Sequence, residues 1–90
     1  MSDQEPPKIE FPCADYPIKI LGSASEVFEV EVLEIVERHA GGFDRSKVRI
    51  QASREGRFNS ITVFIEATGL SQLESLHRDL RAHGDVKMVL

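Results

Sequence analysis

The sequence has little of what marks several large classes of protein. Its 90 residues include one cysteine and no tryptophan, and 15 acidic residues outnumber 11 basic ones. A lone cysteine, Cys13, makes no internal disulfide, which excludes a disulfide-stapled scaffold and fits a reducing cytoplasm. The longest apolar runs, such as residues 63–65, have three residues, whereas a membrane helix needs roughly 20. Residues 1–10 lack the apolar segment of a secretory signal, so we expect a cytoplasmic protein without membrane contact.

The balance of charge is negative overall but uneven along the chain. The formal net charge of −4 argues against a dedicated nucleic-acid binder, which usually has a strong basic excess. Residues 24–40 hold five glutamates and one arginine, whereas residues 45–57 hold four arginines, one lysine and one glutamate. We therefore expect one acidic helix and one basic hairpin on a nearly neutral remainder.

The first third of the chain predicts an arm, a strand and a helix. Residues 1–15 contain three prolines and several acids, which predicts a flexible arm before a single domain over residues 16–90. Apolar and other residues alternate over residues 16–21, as in a half-buried strand. Ser23 with Glu26 three positions on forms a capping box, which predicts a helix over about 23–40 with Ser23 as its N-cap.

The remainder predicts a hairpin, a second helix and a last strand. Alternating residues over 47–53 and 58–67 flank a turn at 54–57, which indicates a β-hairpin. Ser71 with Glu74 predicts a second capping box, in a helix over about 70–83. The chain then closes with a short strand from residue 86.

This order of elements, β-α-β-β-α-β, predicts a ferredoxin-like α+β sandwich. Right-handed crossovers place both helices on one face of a four-stranded antiparallel sheet and leave the other face uncovered. The apolar faces of the strands and helices predict the core: Ile18, Ile20, Phe28, Val32, Ile35, Val36, Val48, Ile50, Ile61, Val63, Ile65, Leu73, Leu76, Leu80, Val86 and Met88.

Two stretches resemble one protein family. Residues 11–22, FPCADYPIKILG, are similar to the opening "FPc-dYPiKimG" of the small bacterial YbeD-like proteins, the DUF493 or UPF0250 group. Residues 86–90, VKMVL, resemble that group's closing segment, and residues 38–40 and 56–63 resemble its "RHa" and "G-yhSvtv" segments. The similarity extends over roughly residues 9–90, with Phe58 where the group commonly has tyrosine, Gly41 where it has proline and His77 where it has a Leu-Tyr pair.

The resemblance implies a ferredoxin-like fold similar to ACT regulatory domains. It also implies a bacterial cytoplasmic protein and a link to lipoate metabolism, because genes of the group often lie near lipoate-attachment genes. ACT domains bind small effectors near the first strand-to-helix loop. That likeness, together with the residues Lys19, Gly22 and Ser23, makes this loop a candidate site for a small acidic effector.

No residue pattern indicates catalysis, a metal or a cofactor. The three histidines and Cys13 lack metal-ligand spacing, and His39 and His83 each end a predicted helix, where a cation complements the helix dipole. The first strand-to-helix loop has no arginine for an acylphosphatase-type phosphate cradle. We therefore expect a regulatory or interaction domain that is not an enzyme.

The uncovered sheet face is the other candidate contact surface. Besides Lys19 and Leu21, its expected residues are Arg49, Thr62, Phe64, Lys87 and Val89. An unknown protein partner is the expected occupant, and a homodimer through this face or through the terminal strand is an alternative. An RNA-binding module using the same face is a second alternative. It is disfavoured because strand one offers no aromatic residue there for base stacking.

Overall fold

The computed structural model describes residues 10–90 and confirms the β-α-β-β-α-β order. A short 3₁₀ turn, residues 45–47, precedes the second strand. The strands and helices are β1 (Cys13–Ser23), α1 (Glu26–His39), β2 (Arg49–Ala52), β3 (Phe58–Ala67), α2 (Leu70–Ala82) and β4 (Val86–Val89).

The four strands form one antiparallel sheet in the order β2-β3-β1-β4. Its centre is the long pairing of β1 with β3, in which Ile18 lies opposite Val63 and Ile20 opposite Ile61. Because alternate strand residues share a face, these buried isoleucines and valines line one side of the sheet, where both helices pack. The predicted ferredoxin-like sandwich is confirmed.

The core contains most of the predicted residues, together with Phe43 and Ala67, which the strand and helix patterns did not indicate. The predicted core positions of two residues are wrong, because Ile50 is 46% exposed and Met88 is 50% exposed. Ile50 lies opposite Ile61 and so faces the helix side, but β2 is an outer strand where the helices give little cover. Met88 lies opposite Leu21, on the side away from the helices. Val48 and Val86 are only half-buried, although they contact the core.

Helix α1 begins later than predicted, because its N-cap is Ser25. The Ser25 hydroxyl accepts a hydrogen bond of 3.0 Å from the Phe28 N–H. Ser23 is still part of β1, where it lies opposite Phe58 and its N–H donates to the Asp85 carbonyl over 3.1 Å. The predicted Ser23 cap is therefore wrong, because the helix begins at Glu26 and the residue directly before it, Ser25, makes the cap.

Helix α2 also lacks the predicted serine cap. It begins at Leu70 after Gly69, which makes no side-chain cap. Gln72, in the first turn, bonds instead to the segment before the helix: its carboxamide oxygen accepts from the Thr68 N–H over 2.8 Å. Its amide group donates to two carbonyls, of His39 at 3.0 Å and of Glu66 at 3.2 Å. One side chain thus joins the start of α2 to the end of α1 and to β3.

Two histidine–carboxylate contacts connect the antiparallel helices. His39, the last residue of α1, lies 2.6 Å from the Asp79 carboxylate of α2. His83, just after α2, lies 2.7 Å from the Glu31 carboxylate of α1, and its other ring nitrogen accepts from the Asp85 N–H. The predicted positions of both histidines at helix ends are confirmed, and each reaches the neighbouring helix.

Strand β1 begins inside the segment predicted as an arm. Residues 13–15 belong to β1, and Cys13 lies opposite Ala67. A bulge follows, where Asp15 has a φ of 55°. Residues 1–9 of the predicted arm lie outside the described residues.

At Gly22, helix α1 packs closely against the backbone of β1. A β-carbon built on Gly22 would lie 2.2 Å from the Phe28 ring and 2.4 Å from the Asp85 carbonyl oxygen. The Phe28 ring is fully buried and meets the His83 ring edge-on, with 5.7 Å between centroids. Only glycine fits at this contact.

We predict that Gly22→Ala lowers the free energy of unfolding by about 1–3 kcal/mol, because the added methyl group forces the Phe28 ring or the backbone aside. Chemical denaturation measures the change. Gly84→Ala is the matched control, since a β-carbon there meets no atom within 4 Å, and its effect should stay within about 0.5 kcal/mol. Equal effects of the two substitutions would contradict the close contact.

A second pair of substitutions tests the register of the sheet. Ile65 is 1% exposed, so Ile65→Ala should cost about 2–5 kcal/mol of unfolding free energy through lost burial and the cavity left behind. Ile50→Ala, on the outer strand, should cost about 1 kcal/mol or less, because that side chain is half in water. A near-zero cost at Ile65 would show that the register is wrong.

Candidate functional site

The face of the sheet away from the helices forms the main candidate surface, and we call it the open face. Residues directly opposite one another in an antiparallel sheet project to the same side, so the register assigns this surface. Leu90 joins it at the edge, because its backbone N–H and carbonyl both pair with Lys19. The open face comprises Pro17, Lys19, Leu21, Ser23, Arg49, Gln51, Phe58, Ser60, Thr62, Phe64, Glu66, Met88 and Leu90.

Three predicted contact residues lie side by side across this face and form what we call the cationic row. Thr62 of β3 lies opposite Lys19 of β1 on one side and opposite Arg49 of β2 on the other. With strands about 4.8 Å apart, the two basic residues are about 10 Å from each other. Both are exposed, and neither forms an ion pair within the part of the chain that the structure describes. The row therefore presents two positive charges to solvent.

A groove lies on the hairpin side of the cationic row, and we call it the turn groove. Its volume is about 310 Å³. Leu21 and Phe58 give it an apolar floor, and Arg54 and Lys19 supply charge at its margin. Arg54 is exposed and, like the cations of the row, has no ionic partner among the described side chains. The turn groove thus combines apolar contact area with unpaired positive charge.

A second groove lies on the other side of the row, and we call it the Phe64 groove. It has a volume of about 400 Å³ and is lined by Phe64, Arg49, Lys47, Ser46 and Asp15. Asp15 is already occupied, since its carboxylate lies 3.2 Å from the Lys47 ammonium group. The half-buried Phe64 ring is the main apolar surface of this groove.

Two predicted open-face residues are placed differently by the structure. Val89 lies opposite Ile20, so its side chain faces the helices and packs against the core, which corrects its predicted place on the open face. Lys87 is exposed, but it lies where the pairing of β1 with β4 is irregular. The cause is a bulge: Gly22 lies opposite Val86, whereas Leu21 lies opposite Met88, and this one-residue shift reverses the alternation assumed from the sequence.

The first strand-to-helix loop has little space for a ligand. The room beside Gly22 is filled by the Phe28 ring and the Asp85 carbonyl. Ser23 pairs in the sheet, and the Ser25 hydroxyl already accepts from the N–H of Phe28. Gly22 is therefore taken up by packing, whereas Ser23 shares the open face with Phe58 but lies four residues beyond Lys19 along β1, outside the cationic row.

Two further hollows lie on the helix side. One, of about 250 Å³, borders His39 and Phe43 at the end of α1. The other runs along α2 past His77 and Arg81. Burial lowers the pKa of His77 from its usual value, and the nearby charge of Arg81 lowers it further. Sequence patterns gave no sign of either hollow.

The described residues show neither a nucleophile–histidine pair nor a cluster of metal ligands. No serine, threonine or cysteine in residues 10–90 forms a hydrogen bond to a histidine side chain. Within the same residues, no three His, Cys, Asp or Glu side chains are grouped so that they can hold a metal ion. The helices of this part of the chain are too short and too polar to cross a membrane.

Comparison with solved structures identifies the fold. The chain superposes on the H. pylori protein HP0495, solved in solution, with a TM-score of 0.77 at 20% identity, covering 100% of this chain and 93% of that one. It also superposes on the ACT domain of a GTP pyrophosphokinase from Chlorobium tepidum, with a TM-score of 0.59 at 19% identity, covering 86% and 92%. At these identities the likeness shows a shared ACT-like fold and nothing more.

Comparison of sequences identifies the family. The chain is 53% identical over 89 residues to a UPF0250 protein of Azotobacter vinelandii, covering 99% of this chain and 97% of that protein. It is 44% identical to a UPF0250 protein of Hahella chejuensis with the same coverage. A family model described as "Protein of unknown function (DUF493)" matches residues 6–90. The chain therefore belongs to the DUF493 family, as the resemblance of its first and last strands predicted.

Proposed function

We propose that this protein is a non-catalytic interaction domain that binds a partner protein through its open face. The observation that carries the proposal is the cationic row, in which Lys19 and Arg49 lie exposed and unpaired among the described residues, between two grooves with apolar floors. Apolar area next to unpaired charge is the composition of a contact surface rather than of an ordinary solvated strand.

The arrangement of layers supports this proposal. Both helices cover one side of the sheet, so Phe58, Met88 and Leu90 stay 43%, 50% and 63% exposed at the edges of the open face. An antiparallel sheet can leave one face in water, but the apolar side chains that stay exposed here are area that a partner would cover. The half-buried Leu21 and Phe64 lie nearer the middle, where a partner would exclude most water.

The open face is a better contact site than the first strand-to-helix loop. Gly22 is required for the packing of Phe28, which accounts for its presence without a ligand. Ser23 is accounted for by its pairing with Phe58 and its hydrogen bond to Asp85. Lys19, which the effector hypothesis also invoked, projects to the open face with Thr62.

A regulatory role for the interaction is part of the proposal and rests on likeness of fold. The ACT domain that this chain resembles belongs to a GTP pyrophosphokinase, and a shared fold alone does not transfer a ligand. The link to lipoate metabolism and the cytoplasmic location, expected from the sequence, stay predictions. A homodimer through the terminal strand also stays a prediction, although β4 does lie at the edge of the sheet as expected.

RNA binding at the open face is a weaker candidate. Strand β3 offers Phe58 and Phe64 to this face, as a base-stacking surface needs. Strand β1 offers Pro17, Lys19 and Leu21, so the second stacking position has no aromatic ring. The net charge of −4 also disfavours a polyanion.

We predict that reversing the open-face charges abolishes partner binding without unfolding the protein. Lys19→Glu with Arg49→Glu changes two exposed side chains, so the free energy of unfolding should change little. The measurement is quantitative affinity capture from bacterial lysate. The matched control is Arg38→Glu with Arg81→Glu, which makes the same charge change on the exposed helix side.

We expect the wild type and the helix-side control to capture the same proteins, and the open-face variant to lose them. Identical capture by all three proteins would contradict the proposal. Loss of the captured material after ribonuclease treatment would favour the RNA-binding alternative instead.

We also predict that small carboxylates leave the first loop unchanged. Amino acids or lipoate at millimolar concentration should move no backbone amide signal of residues 22–25 in an NMR titration, because Phe28 fills the space beside Gly22. Shifts confined to these residues, together with a raised melting temperature that Lys19→Glu removes, would restore the small-effector hypothesis.

A further inference from the structure

The two grooves of the open face lie in line along the strands, on opposite sides of the cationic row. Along β3, Ser60 of the turn groove lies two residues before Thr62, and Phe64 lies two residues after it. Four residues of strand span about 13 Å. A ligand that fills both grooves therefore has two apolar anchors about 13 Å apart and passes directly over the row of Lys19 and Arg49.

An α-helix meets this requirement better than an extended peptide. Laid flat on the face, an extended segment leaves its backbone N–H and carbonyl groups unpaired, because the strands beneath already use theirs. A helix satisfies its own backbone and is the element that normally covers a sheet. Two helical turns span about 11 Å, so side chains seven positions apart reach both grooves.

The charges beneath such a helix specify its polar residues. Lys19, Arg49 and Arg54 are exposed and unpaired within residues 10–90, and all three lie on or beside this path. The acid nearest to the Phe64 groove, Asp15, is held by Lys47 at 3.2 Å. A helix bearing Asp or Glu midway between its anchors would pair with the row, whereas a basic or neutral helix would leave these cations desolvated without a partner.

We infer that the open face binds an acidic amphipathic helix of a partner protein, with large apolar residues at positions i and i+7 and Asp or Glu at i+3 or i+4. This inference rests on the proposed function and names the chemistry of the partner. The apolar residues enter the turn groove and the Phe64 groove, and the carboxylates lie over the cationic row.

A second copy of the chain is a poorer occupant than such a partner. Its most suitable helix is α1, which exposes Val27 and Val30 beside several glutamates. These valines are only three positions apart, and the residue seven positions after Val27 is Glu34. Helix α1 can therefore fill one groove but would place a carboxylate at the apolar floor of the other.

The test is a selection from a displayed library of helical peptides on the immobilised full-length protein. Leucine is fixed at i and i+7, and positions i+3 and i+4 are randomised over all amino acids. The double variant Lys19→Glu, Arg49→Glu is the second target, and Arg38→Glu, Arg81→Glu is the control target. We expect Asp and Glu at the randomised positions on the wild type and the control, and Lys and Arg on the open-face variant.

One selected peptide is then titrated while the amide signals of Lys19, Thr62 and Phe64 are followed by NMR. Affinity should fall about tenfold when both open-face charges are reversed, since two charge-assisted contacts are lost. It should fall similarly when either leucine becomes serine, because a groove is then left empty. Affinity should also weaken with added salt.

Selected peptides without an acidic preference would overturn the inference, as would shifts confined to the helix side. If lysate capture still depends on the open face in that case, the proposed function stands and only the partner chemistry is wrong. Light scattering that shows self-association, abolished by Val30→Asp, would identify a second copy as the occupant and would overturn the inference. Selective displacement of captured material by RNA would overturn it as well.

Discussion

The contact between the Phe28 ring and the backbone at Gly22 is the constraint on which the architecture depends. It fixes α1 against β1, and the same ring meets His83 at the end of α2. The Asp85 carbonyl, also close to Gly22, accepts from the Ser23 N–H and so holds the start of β4 beside β1. One ring and one missing side chain thus hold both helices against the same side of the sheet, and neither α1 nor α2 covers the open face.

The two sides of the molecule carry opposite charge. The outer surface of α1 is rich in glutamate, whereas the segment from Arg45 to Arg57, which borders the open face, has five basic residues and one glutamate, a net charge of +4. The net charge of −4 hides this division. An acidic partner approaching from solution is therefore attracted towards the open face and repelled from the helix side, which favours one orientation of encounter.

The fold could be predicted from the sequence because the strand and helix periods are regular and the turns are marked by glycine. Details that depend on tertiary pairing could not. Ser23 and Ser71 both match a capping pattern. Ser23 instead belongs to β1, and Ser71 lies inside α2, which begins at Leu70. No sequence pattern indicated the bulge between β1 and β4, which turns the Val89 side chain towards the helices, where it packs against the core. Strict alternation predicted Lys19, Thr62 and Arg49 on one face of the sheet, whereas their side-by-side placement depends on the strand order and register.

The pairing of β1 with β4 has a consequence for how the chain folds. Ile20 lies opposite Val89, which follows it by 69 residues along the chain. Closing so long a loop costs entropy that local contacts do not offset, so pairs of this kind tend to form late and to slow folding. The hairpin of β2 and β3 is local by comparison and can form early. Until the final strand docks, the β4 side of β1 is an unpaired edge, and Pro17, which has no N–H to offer, makes that edge a poor template for intermolecular strand pairing.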